Sequence, residues 1–152
     1  MAFADDLLKD AHHLAKRGGK NPKQSTLQQG VSTAYYALFH LLVADFVSNW
    51  PHTDQRPRLA RMFEHRKMRI DVQLKDRNTA TPAEAELKKV AAAFAQLQED
   101  RLTADYDVSR TWSRSDVNDT LTLADKAFET WRSIHKEKAA QDHLLLMFGA
   151  KR

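Results

Sequence analysis

Arg58, Arg61, His65 and Arg69 follow one another at steps of three, four and four residues, so a helix would place them on one face. Between Arg56 and Arg69 there are six Lys/Arg residues and one histidine against a single acid, Glu64. Such a stripe can hold phosphate, and an imidazole among the cations can move protons near neutral pH. Metal-free RNA cleavage asks for these two residue types. It needs a base for the 2′-hydroxyl and a cation for the charge that builds on the phosphoryl oxygens. His65 and Arg58 are therefore the candidate catalytic pair, with Arg61 and Arg69 as phosphate-binding residues. The competing reading is a solvated basic face that binds nothing.

A second candidate is EDRLTADYD, residues 99–107. Arg101 continues the apolar stripe Leu87, Val90, Phe94 and Leu97, which turns it toward the interior. A buried arginine must be paired, and Asp105 and Asp107 are the nearest acids in sequence. The pair can equally be structural, an ion pair closing a helix end. Tyr36 and His40 stand one turn apart in the most apolar segment, as core residues or as groups facing a groove between two subunits. His12 and His13 are adjacent and diverge by about 100° on a helix, which does not suit a shared metal. No HExxH, phosphate loop, GxGxxG or GxSxG occurs, and neither a metal nor a cofactor is expected.

These residues need a scaffold. The chain has 152 residues, 42% hydrophobic and 29% charged, enough for one core and ordinary for a globular fold. With no cysteine there is no disulfide, thiolate zinc site or cysteine nucleophile. The net charge is +4 and the pI about 9.4, compatible with a nucleic-acid partner without demanding one. Ala4-Asp5-Asp6 puts acids where a basic leader would lie, and no apolar stretch is expected to reach the roughly 20 residues that span a bilayer. A cytoplasmic protein without membrane contact is the expectation.

Four glycines, four prolines and an excess of Ala, Leu, Lys, Gln and Glu favour helix throughout. Ala4, Leu7, Leu8, Ala11, Leu14 and Ala15 form one apolar stripe, and Gly18-Gly19 stop it. Ser25-Thr26-Leu27-Gln28 predicts a capping box opening a second helix that runs to about Asn49, where Trp50-Pro51 ends it. Gly30 costs that helix about 1 kcal/mol relative to alanine, which a close helix contact could offset. A third helix starts near Pro57 with Leu59, Met62, Phe63 and Ile70 inward, and KDRNTATP is a loop. Thr81-Pro82-Ala83-Glu84 predicts the sharpest helix start in the chain. Ser113 or Ser115 caps a further helix bearing Val117, Leu121, Ala124, Phe128 and Trp131. Residues 136–152 form a helical tail.

The expected fold is a single all-α domain over residues 1–152, an antiparallel up-and-down bundle of four to five helices. The second helix is apolar on nearly every side, so it should be central, with a second subunit covering what its own neighbours leave open.

STAYYALFHLL (32–42), LARMFEHRK (59–67) and EDRLTADYD (99–107), in this order, resemble the HEPN domain (higher eukaryotes and prokaryotes nucleotide-binding). The likeness is to its small stand-alone prokaryotic type and covers about Ala4 to Ile134. It implies a helical bundle that dimerises, a role in toxin–antitoxin or defence systems, and often a small nucleotidyltransferase partner. Many such proteins are metal-independent endoribonucleases whose arginine and histidine, four to six residues apart, meet across the dimer. In this sequence Arg101 is followed by Asp105 instead, while Arg58 and His65 have six residues between them but lie on the third helix. The resemblance thus implies either an RNA-cleaving toxin or a non-catalytic module that binds a nucleotide or a partner protein.

Overall fold

Thr81 opens the fourth long segment as expected: its hydroxyl accepts the amide of Glu84 at 3.2 Å, and Pro82 occupies the first turn. Ser113 does the same further on, within a full capping box closed by Asp116. The structure, a computed structural model, describes residues 2–64 and 81–144. Its helices are α1 (Phe3–Lys16), α2 (Gln24–Ser48), α3 (Arg56–Glu64), α4 (Pro82–Tyr106), α5 (Arg114–Ile134) and α6 (Lys138–Leu144), with a 3-10 turn at Thr53–Gln55. There is no strand among the described residues.

Side-chain pairings fix the directions. Asp5 meets Arg132 and His12 meets Asp125, so α1 and α5 run oppositely. Ser32 meets Asp105 and Tyr36 meets Arg101, so α2 and α4 also run oppositely. Gly30 lies beside Val117 while Asp45 meets Trp131, which makes α2 and α5 parallel. The four long helices thus alternate up and down, and the short α3 and α6 are added to them. The described helices number six rather than four to five.

α2 lies at the centre, packed on α1, α4 and α5 and touched by α3 and α6. Leu27, Val31, Ala34, Leu38 and Leu42 are shut off from solvent almost completely. Apart from its two ends, only a narrow strip holding Gln29, Tyr36 and Ala44 remains exposed. Contrary to the expectation above, α2 is long and apolar enough by length and composition to cross a bilayer. Within the bundle that apolar character is met by the facing stripes: Ala4, Ala11 and Ala15 of α1, Leu87, Val90, Phe94 and Leu97 of α4, and Val117, Leu121, Ala124, Phe128 and Trp131 of α5.

Gly30 sits where three helices converge. A Cβ there would stand 3.3 Å from Cγ1 of Val117 and 3.7 Å from the Ala11 carbonyl oxygen. The predicted capping box at Ser25 is not formed. Instead α2 begins at Gln24 with Lys23 as an N-cap that makes no side-chain bond. Tertiary bonds set this end, because the Gln24 amide donates to the Trp112 carbonyl at 2.7 Å and accepts the Trp112 amide at 2.9 Å. The connector 17–23 turns on Gly18 at φ +87°, where a Cβ would stand 2.8 Å from Cα of Pro22. Arg114 holds the same connector by donating to the carbonyls of Ala15, Arg17 and Gly19.

At the opposite end Arg56 donates to the Ser48 carbonyl at 3.0 Å and to the Trp50 carbonyl at 2.9 Å, closing the carbonyls that α2 leaves open. In the C-terminal tail, Ala140 and Leu144 are fully buried. The KDRNTATP loop up to Ala80, Ile70, the side chains of Met62 and Phe63, and residues 145–152 lie outside the described residues.

Three outcomes follow from this packing. Leu38→Ala should cost 2–5 kcal/mol, roughly, in urea unfolding, since Leu38 has no solvent exposure. Gly30→Ala should stay within about 1 kcal/mol of wild type, its propensity gain offset by the Val117 contact, whereas Gly30→Leu should lose about 3 kcal/mol or more to overpacking. The Arg132 guanidinium bonds the Asp5 carboxylate at 2.8 Å and holds its pKa below the ordinary value. A depressed folded pKa means stability that is present above the ordinary carboxyl pKa and is lost as pH falls through the folded one. The pair is partly exposed, so wild type should exceed Asp5→Asn by under about 1 kcal/mol near pH 6, and in thermal melts that gap should narrow as pH falls below the ordinary carboxyl pKa.

Candidate functional site

Tyr35 and Tyr36 are consecutive, so α2 turns them about 100° apart. Tyr35 points inward and is 5% exposed, while Tyr36 stands at the surface and is 40% exposed. Burial pushes the Tyr35 phenol up to about 12, against a smaller opposing pull from Arg101, so it stays neutral at physiological pH. Arg101 reaches both rings from α4. Its guanidinium carbon lies 5.2 Å from the centroid of Tyr35 and 5.5 Å from that of Tyr36, within cation–π range.

The same guanidinium donates from Nη1 to the Tyr36 hydroxyl at 3.2 Å and to Asp105 Oδ2 at 3.3 Å. The other carboxylate oxygen of Asp105 accepts the Ser32 hydroxyl. Two links therefore join α2 to α4 through one carboxylate and one guanidinium, and the Arg101 side chain is only 19% exposed. Its Nε is buried without a partner among the described residues. Asp107, the other acid that the sequence offered to Arg101, turns away. It accepts the amide of Ser109 at 3.0 Å and the Ser109 hydroxyl at 2.5 Å, and these bonds hold its pKa below the usual carboxylate range.

His40, one turn beyond Tyr36, packs edge-on against Phe3 at 5.0 Å and Phe39 at 5.2 Å between ring centroids. Phe3, Tyr36, Leu102, Tyr106 and Val108 are all exposed. Tyr36, Arg101 and Asp105 thus come together, with His40 one turn along the same helix. Arg58 and Arg61 are exposed on α3, and among the described residues no hydrogen bond, ion pair or ring contact joins either of them to Arg101, Asp105 or Tyr36. His65 and Arg69 lie outside the described residues.

Sequence reasoning missed Ser32 and Tyr35. Ser32 precedes Tyr36 by four residues, a spacing that already put it on the Tyr36–His40 face. Tyr35 carried no signal separating it from an ordinary core aromatic. The cluster offers hydroxyls and a carboxylate as acceptors, but its one strong cation already gives Nη1 to both Tyr36 and Asp105. It is better built to join two helices than to hold a free anion.

Arg101→Ala should therefore cost about 2 kcal/mol in urea unfolding, since it removes the ring contacts and leaves Asp105 with Ser32 alone. Arg101→Lys should recover under half of that loss, because an ammonium cannot reproduce the planar fork or lie flat on two rings. No protein-family model, curated protein or solved structure matches this chain.

Proposed function

We propose that this protein is a HEPN-type module of a prokaryotic toxin–antitoxin or defence system that works in the cytoplasm as a homodimer. Its action is to bind a partner, a small nucleotidyltransferase, rather than to cleave RNA at the end of α4. One observation carries this reading. The Arg101 guanidinium is neutralised by Asp105 and covered by two tyrosine rings, so it is occupied in the fold. A carboxylate in the place of an imidazole also removes the proton donor that metal-free cleavage needs.

The surroundings suit protein contact. Exposed aromatic and aliphatic side chains (Tyr36, Leu102 and Tyr106) beside an internally bonded ion pair resemble the centre of an interface more than a phosphate cradle. A second copy on this face would cover the strip of α2 that the bundle leaves open.

A ribonuclease reading retains one favourable observation: Arg58 and Arg61 are exposed on α3, directly before His65 in the chain. Incubating the purified protein with total RNA in EDTA separates the two. The binding-module reading expects no cleavage, together with co-purification of a nucleotidyltransferase encoded beside it. Cleavage that disappears in His65→Ala, with the fold intact, would contradict it and establish the ribonuclease. Tyr106→Glu should convert the dimer to monomer in light scattering after size exclusion; an unchanged mass would remove this face from the interface.

A further inference from the structure

The acids of this chain are unevenly placed. Residues 11–44 contain no Asp or Glu, yet they include Lys16, Arg17, Lys20 and Lys23. All four are exposed, and none forms an ion pair with a described acid. They flank one turn, at the last residue of α1, in the connector and at the residue before α2. Adjacent helices pack about 8–10 Å apart, so the four cations share one end of the bundle.

This end is held in shape. Arg114 donates to three carbonyls of the turn, at Ala15, Arg17 and Gly19. Gln24 locks the start of α2 to Trp112, and Arg110 lies over the Trp112 ring at 4.1 Å. Two of the acids nearby are engaged, while Asp119 of α5 is exposed and unpaired among the described residues. Asp116 closes the cap of α5 and pairs with Arg110 at 3.5 Å, and Asp107 is bonded by Ser109. Asp10 is the exposed acid left on the adjoining part of α1.

We infer that this end of the bundle is a docking surface for the phosphate backbone of a nucleic acid, contacted by Lys16, Arg17, Lys20 and Lys23. The chemistry of the connector selects among polyanions. Its residues are Arg, Gly, Gly, Lys, Asn, Pro and Lys, with no aliphatic or aromatic side chain apart from the proline ring. A segment that enters an anionic bilayer carries apolar side chains among its cations. A protein interface centres on an aromatic or aliphatic anchor. Cations on flexible stems without such an anchor match sequence-independent contact with phosphates. The surface shares no residue with the Arg101 cluster and lies at the opposite end of α2 from α3, and it stands whether or not a nucleotidyltransferase is the partner.

The test is fluorescence anisotropy of a short labelled single-stranded RNA over a KCl series, with the full chain and the variant Lys16→Gln/Arg17→Gln/Lys20→Gln/Lys23→Gln. The substituted residues are exposed, so circular dichroism and Tm should match the parent. The variant should bind at least about tenfold more weakly at low salt, and its salt slope should fall by about 3, four contacts at roughly 0.7 each. Parent-like affinity and slope in the variant would overturn the inference. So would loss of binding in Arg58→Gln/Arg61→Gln alone, a parent that does not bind RNA, or binding to phosphatidylserine vesicles with the same salt dependence. Co-purification of a partner protein is read independently of all these outcomes.

Discussion

A 25-residue helix that is apolar around most of its circumference must be surrounded, and the remaining helices are arranged to do so. Each fully buried Leu or Val removed from water contributes on the order of 1.5–3 kcal/mol, and α2 supplies several of them on more than one face. An ordinary amphipathic helix asks for one partner; this one asks for three. α1, α4 and α5 answer with one apolar stripe each, which is why those three can remain polar on their outer sides. Gly30 marks a close point of that enclosure, where a Cβ would stand only 3.3 Å from Cγ1 of Val117.

The polar links between helices follow from the same arrangement. Where the α2 surface turns from core to solvent, Tyr35 and Tyr36 lie on either side of the boundary, and Arg101 bridges both. Desolvating a guanidinium is costly unless its donors are met, and Asp105 with the Tyr36 hydroxyl meets those on Nη1. This joins the fold to the function proposed for it, because the residue types that could have formed a catalytic centre at the end of α4 are engaged in holding α4 to α2. The exposed arginines of α3 and the cations of the connector between α1 and α2 take no part in that link.

Much of this was legible in the chain itself. The helix starts at Thr81 and Ser113 depend on local chemistry, a hydroxyl and an acid three residues apart; the first forms as read, and at the second the structure selects Ser113 over Ser115. The core stripes of α4 and α5 follow from spacing alone. The start of α2 was misread because Gln24 is fixed by Trp112, 88 residues away, a bond that no local pattern announces. Likewise the pairing of Arg101 with Asp105 could be read from their spacing. Its contact with Ser32 and the two tyrosines could not, since it requires knowing that α2 and α4 are antiparallel neighbours. The bilayer-compatible length of α2 was missed for the opposite reason: scattered Gln, Ser and Thr residues hid how few charges the segment carries.

Native-state hydrogen exchange tests the enclosure of α2 most directly. If α2 is the helix on which the others pack, its amides between Val31 and Val43 should be the slowest in the protein and exchange only through global unfolding. Amides of α2 that open at lower free energy than those of α4 and α5 would contradict the account.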